Sequence, residues 1–186
     1  MRPDEAPSAQ RTERRWLPVV AVVAVIVFAA DGANLVSRAI EGPPIDVAGV
    51  ALHPRAGWAV QHRDDQTSVH HVLLAGGSTA LDVVVLDGYD GTAATLSEEY
   101  ATRVLRGQLD RLTIGDPETG RLDSGTSTVR FGYVGITHDG LAVEGVVTTA
   151  VGRSGTGVVF DGYAPKGDLA SAVGDLAAMI GSAEVP

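Results

Sequence analysis

SVHHVLLAGGSTALDVVVLD, residues 68–87, is the stretch that decides the fold. Its two halves, SVHHVLLA (68–75) and ALDVVVLD (80–87), are apolar and rich in β-branched residues, with Gly76-Gly77 between them. Two such runs around a glycine turn read as a β-hairpin. Asp87-Gly88-Tyr89-Asp90-Gly91 then breaks the second strand. Upstream, VALHP (50–54) and WAVQH (58–62) flank the turn Arg55-Ala56-Gly57 and read as two more short strands.

Downstream the pattern changes to a helix. Thr95-Leu96-Ser97-Glu98 reads as a capping box, and Leu96, Tyr100, Val104, Leu105 and Leu109 supply a broad apolar arc. Glu99, Arg103, Arg106 and Asp110 form the opposite, solvated arc, paired at i,i+4 spacing. Three strands follow, near 126–136, 141–151 and 155–163, with turn chemistry at His138-Asp139-Gly140 and Gly152-Arg153-Ser154. A last helix is predicted from an Asp168 N-cap, with Leu169, Val173, Leu176 and Ile180 on one face and Gly181 as its stop. The order strands, helix, strands, helix predicts an α+β fold, an antiparallel β-sheet flanked by helices.

Composition narrows the function. A chain of 186 residues allows one ordinary domain and a tail. With no Cys, disulfides, thiolate metal sites, iron–sulfur clusters and a Cys nucleophile are excluded. A net charge of −9 argues against a nucleic-acid partner, which needs a basic footprint.

The N-terminal run WLPVVAVVAVIVFAA (16–30) carries no charge and follows Arg14-Arg15. Extended through residue 36, it approaches the ~20 residues of a membrane span, with Trp16 suited to one interface. The arginines before it predict an N-terminus inside and a body outside. The expected organisation is a cytoplasmic disordered tail (1–15), a transmembrane signal anchor (16–36), a linker (37–47) and an extracytoplasmic domain (48–186). The alternatives are a signal peptide cleaved after Ala29, giving a secreted body, and a buried helix of a soluble fold.

VALHPRAGW (50–58) resembles the opening of PsbP-like domains, where a strand runs into a Pro–Gly–Trp corner. The layout over 47–182 is similar to that superfamily, which includes photosystem II extrinsic proteins, a yeast Ran-binding import factor and exported LpqN-type actinobacterial proteins. The resemblance implies an α/β/α sandwich and, since most members bind rather than catalyse, a binding module. The chain departs from LpqN-type lipoproteins in lacking the lipidated Cys, whose place a protein anchor would take.

Few residues suggest chemistry. The five imidazoles are His53, His62, His70, His71 and His138. His70 and His71 point to opposite faces of a strand, while His62 and one of that pair could meet across strands near Asp64 or Asp65. The acidic groups Asp87/Asp90/Glu98 and Asp116/Glu118/Asp123 miss the EF-hand pattern and read as turn and cap acids. GRSGTG (152–157) lies between strands and reads as a hairpin loop, not a dinucleotide loop. Arg130 and Glu144 stand mid-strand in apolar runs and could pair across the sheet, and Gly145 allows close backbone approach. No catalytic, cofactor or metal residue is assigned, and no cofactor is expected. The expected function is a membrane-anchored, extracytoplasmic, non-catalytic accessory or binding module of a bacterial cell envelope. Its partners are the membrane, through the N-terminal helix, and an envelope protein or small-molecule ligand. The alternatives are an exported hydrolase or transferase without a recognisable motif, or a structural partner in an envelope complex.

Overall fold

The computed structural model describes residues 43–186. The tail, the anchor and the cleavage site after Ala29 lie outside the described residues. Among those described, no helix is long and apolar enough to cross a membrane.

The chain opens with a small hairpin, β1 (Ile45–Val47) and β2 (Val50–Leu52). β1 draws the last three residues of the 37–47 stretch into the fold, and Val47 is fully buried. The main sheet has eight antiparallel strands, of which the first three are β3 (Ala59–Asp65), β4 (Val69–Gly76) and β5 (Thr79–Leu86). β4 and β5 form the expected hairpin, in register from Val69↔Leu86 to Gly76↔Thr79. Gly77 turns the corner at φ +61°, which glycine adopts without steric cost.

Helix α1 (Ala93–Tyr100) continues through a π-helical stretch, Ala101–Leu105, and a last turn, Arg106–Gln108. Its N-cap is Thr92, not Thr95: the Thr95 backbone N–H donates to Thr92 Oγ1 at 3.1 Å. The helix thus starts a turn earlier than the capping box implied. It also ends earlier, because Leu109 already belongs to β6 (Leu109–Ile114). Glu99 and Arg103 are half-buried rather than fully solvated.

Then come β7 (Glu118–Arg121), β8 (Ser127–Thr137), β9 (Ala142–Val151) and β10 (Gly157–Pro165). The sheet order is β3-β4-β5-β10-β9-β8-β6, with β7 also on β8. β7 pairs the first part of β8 and β6 the last part. The predicted C-terminal helix splits into a 3₁₀ turn (Leu169–Ser171) and α2 (Val173–Gly181), and Asp168 makes no side-chain cap.

Alternation along the strands produces two apolar faces. On one, Leu81, Val83 and Val85 of β5 and Val158 and Phe160 of β10 pack with Leu176, Met179 and Ile180 of α2 and with the β1–β2 hairpin. On the other, Val84, Val147, Val159 and Phe131 pack beneath Leu96, Tyr100, Val104 and Leu105. Val173 departs from its predicted face and is 50% exposed, with Met179 buried instead. The 3₁₀ turn at the start shifts the helical phase, so a stripe extrapolated from Leu169 misses the buried side.

Candidate functional site

The face beneath α1 is not purely apolar. Val84 and Leu86 share it with Asp82, and Val159 shares it with Asp161, because side chains two apart on a strand point the same way. Asp82 and Asp161 are 1% and 3% exposed. A carboxylate is almost never fully buried without a partner, and each has one. His71 Nε2 pairs with Asp82 Oδ1. Tyr100 of α1 donates to Asp161 Oδ2 at 2.9 Å, and Tyr133 of β8 donates to Oδ1 at 3.0 Å.

Gly145 makes the second of these bonds sterically feasible. It is the register partner of Tyr133 on one side and of Tyr163 on the other. A Cβ at this position would stand 2.6 Å from Tyr133 Cε1, inside van der Waals contact. The bare backbone is what lets the Tyr133 ring lie across β9 toward β10.

Burial dominates the electrostatics. It pushes the Asp161 carboxyl from an ordinary 3.8 up to about 7; the Tyr100 and Tyr133 hydroxyls oppose the shift and the Asp82 charge adds to it. Burial likewise holds the Tyr100 and Tyr133 hydroxyls well above the usual phenol range. For His71, burial favours the neutral ring, but the bond to Asp82 and the charges of Asp82 and Asp64 outweigh it, so its pKa is raised.

Asp161 also lines a cavity of about 290 Å³. Its walls come from the end of the helix (Leu105, Gln108), the start of β6 (Leu109), β8 (Tyr133), β9 (Val143) and β10 (Tyr163). The rim is Thr137, His138 and Asp139 of the β8–β9 turn. His138 Nε2 lies 3.1 Å from the Gly107 carbonyl and Nδ1 lies 3.4 Å from Asp110, and these two contacts raise its pKa. The π-helical stretch carries the chain from Tyr100 to Leu105, from one wall of the polar cluster to the roof of the cavity; such stretches recur at functional sites.

The histidines behave partly as read. His62 and His71 meet across β3 and β4, ring centroids 5.7 Å apart. His70 points the other way, between Asp65 (3.3 Å) and Asp87 (3.1 Å). Among the described residues no group of three or more His, Asp or Glu is placed to hold a metal ion. Arg130 and Glu144 do not pair with each other. Arg130 bonds Glu118 at 2.7 Å, and Glu144 accepts from the Gly167 and Leu169 amides. GRSGTG is the β9–β10 hairpin loop. Asp123 lies by α2, where its backbone N–H donates to the Gly181 carbonyl.

Sequence reasoning passed over Asp82, Asp161, Tyr133 and Tyr163, and read Tyr100 only as part of the helix's apolar arc. The signal was available: both aspartates stand mid-strand in apolar runs, ALDVVVLD and GVVFDGY, as Arg130 and Glu144 do.

No protein-family model matches the chain, and no curated protein sequence matches it. Solved structures do. The solution structure of cyanobacterial PsbP (CyanoP) from Synechocystis sp. PCC 6803 superposes with a TM-score of 0.54 at 14% identity, over 74% of this chain and 87% of that one. The described residues have a PsbP-like fold. The Saccharomyces cerevisiae Ran-binding protein Mog1p is similar at a TM-score of 0.46 and 13% identity, over 77% of this chain and 84% of its own. At these identities the PsbP-like likeness extends to the fold alone.

Proposed function

We propose that the chain is an extracytoplasmic accessory or binding module of a bacterial cell envelope, non-catalytic, held at the membrane by residues 16–36, with the Asp161 cavity as its ligand site. One observation carries the ligand site: a cavity with apolar walls has at its base a buried carboxylate fixed by two tyrosine hydroxyls. Concave sites with apolar walls and a few fixed polar groups are where small ligands bind. The polar groups of the rim are engaged: Thr137 Oγ1 donates to Asp139, and His138 contacts Gly107 and Asp110. The Thr137 hydroxyl is thus bonded to Asp139 and not to the His138 imidazole, the pairing that would activate it as a nucleophile.

An exported hydrolase or transferase is the second reading, since His138, Asp139 and Asp161 line one cavity and a carboxyl titrating near neutrality suits proton transfer. A purely structural partner is favoured less. The exposed large hydrophobics among the described residues are Val60, Val134 and Val173, one each on β3, β8 and α2, where a docking face would gather several on one element.

Because the chain has no Cys, single cysteines report topology cleanly. In intact cells a membrane-impermeant maleimide should label Ser171→Cys and not Ser8→Cys. Equal labelling of both, or neither, overturns the anchor; a soluble product starting at Ala30 favours cleavage. For the cavity, a fragment screen by NMR on the full chain in detergent should give hits that perturb the Tyr133 and Tyr163 rings. A screen in which no fragment reaches those rings overturns the ligand site, and a hit that is chemically altered favours the enzyme.

A further inference from the structure

We propose that the cavity at the end of α1 binds a small organic cation, an ammonium group on a compact apolar or aromatic body, with the ammonium placed at Asp161 beside Tyr133 and Tyr163. The inference rests on the reading of this cavity as a ligand site and names the chemistry of its ligand.

Charge is the first argument. The buried polar patch holds two carboxylates, Asp82 and Asp161, against one imidazole, His71. With Asp82 matched by His71, the ionised Asp161 has hydrogen-bond donors but no counter-charge. Neither Lys nor Arg lines the cavity, and at its rim the Asp139 carboxylate is balanced by the His138 imidazole, whose pKa the Gly107 carbonyl and Asp110 raise. An anionic ligand would meet like charge at the base, where Asp161 stands. A cation supplies the missing counter-charge and makes a charge-assisted hydrogen bond, about twice as strong as a neutral one.

The walls are the second argument. Tyr133 and Tyr163 present aromatic rings beside Asp161, and ring faces attract ammonium groups, more so when desolvated. Leu105, Leu109 and Val143 accept the apolar body. A volume of about 290 Å³ limits the ligand to a small molecule. Gln108 Nε2 is buried in the wall without a hydrogen-bond partner, so an acceptor oxygen on the ligand would have a donor waiting.

Binding is coupled to protons. Burial pushes the Asp161 carboxyl up to about 7, and an ammonium favours its ionised form. Below neutrality the ligand must therefore expel a proton from Asp161. The groups around Asp161 are Asp82 on β5, His71 on β4, Tyr100 on α1 beside Glu99 and Arg103, Tyr133 on β8 and Tyr163 on β10. β9 contributes Val143, Gly145 and Val147, none of them ionisable, and the rim contributes Asp139 and His138, the latter held by Asp110.

The test is calorimetry on the full chain in a zwitterionic detergent, with benzylamine, benzyl alcohol and benzoate as probes. Benzylamine should bind at least about tenfold more tightly than benzyl alcohol at pH 8, and benzoate should not bind. Benzylamine affinity should fall by about tenfold per pH unit below 7, with a proton released to buffer at pH 6. Asp161→Asn should abolish the preference for the amine. Val143→Phe, which fills the cavity and leaves Asp161 in place, should abolish binding of both. His138→Gln should keep the pH dependence. Equal affinity for amine and alcohol, or a preference for benzoate, overturns the cation and leaves the cavity as a neutral or anionic ligand site. If none of the three probes binds but the fragment screen finds neutral ligands at the tyrosine rings, the cation again fails while the site stands. If nothing binds in either experiment, both fail.

Discussion

Asp161 lies directly opposite Asp82 across the β5–β10 pairing, so two carboxylates occupy one buried patch of sheet beneath α1. Opposed residues on antiparallel strands share a face and stand only ~4.5–5.5 Å apart at Cα. Two like charges at that separation in a dry site do not ionise independently. His71 and the two tyrosines distribute the charge, and the native state holds protons that the unfolded chain would give up.

Stability should therefore fall as pH rises. Asp161 keeps its proton up to about pH 7 when folded and loses it near ~3.9 when unfolded. Between those values the folded state binds more protons, so the stabilisation present at low pH is lost through that window. His71 acts in the same sense, because its folded pKa is raised; its contribution is complete below ~6.5 and is lost as pH climbs through the folded value. Calorimetry on the full chain should give a higher Tm at pH 5.5 than at pH 8. Asp161→Asn should flatten that slope and gain ~1–4 kcal/mol at pH 8. A flat wild-type profile, or an Asn variant weaker than wild type at pH 8, contradicts this.

Removing the hydroxyls should do the opposite. Tyr100→Phe and Tyr133→Phe each delete a donor to a buried carboxylate, at a cost of ~1–3 kcal/mol at pH 8. Both should raise the Asp161 pKa further, since the lost bonds favoured the ionised form. Carbon-detected NMR of the Asp161 carboxyl gives the titration directly. An unchanged or lowered midpoint in both variants is the contrary result.

Gly145→Ala probes the close approach. Its new methyl meets the Tyr133 ring, and overpacking of this kind costs ~1–3 kcal/mol. The Tyr133→Phe change should cost less in the Gly145→Ala background than alone, because the hydroxyl has already been moved off Asp161. Additive losses in a double-mutant cycle would show that the glycine does not position the ring.

On the opposite face, α2 is a cover for the sheet. Leu176 is 1% exposed and sits over Gly162, so Leu176→Ala should cost ~2–5 kcal/mol. Asp175 meets Trp58 Nε1 at 3.4 Å and Arg55 at 3.8 Å near the surface, and Asp175→Ala should cost only ~0–1 kcal/mol. Val173→Ser, at a half-exposed position, should change little. Urea unfolding of the three variants ranks them; comparable losses for Leu176 and Asp175 would break the argument.

The elements were legible where the signal was local. The glycine-turned hairpin, the three long strands and the two helices follow from turn residues and periodicity. The helix start was misplaced because Thr92 and Thr95 are both competent caps, and only the backbone settles that Thr95 donates to Thr92. The 3₁₀ turn before α2 shifted the buried face from Val173 toward Met179. The candidate site was not legible, since it depends on pairings between distant parts of the chain. Nothing in ALDVVVLD or GVVFDGY sets the register that brings Asp82 to Asp161, or that places Gly145 between two tyrosines.

The rims of the sheet have a consequence for how copies of this chain meet. An open sheet invites a second sheet to extend it wherever a straight strand is left unpaired on one side. Here β3 shifts register between Val60 and His62 and ends in Arg63, Asp64 and Asp65. The far rim is divided between β6 and β7, and β6 is itself kinked at Arg111, whose φ is +49°. Bulges and charge blunt both templates. Both rims therefore disfavour edge-to-edge growth into a shared sheet when these domains are crowded.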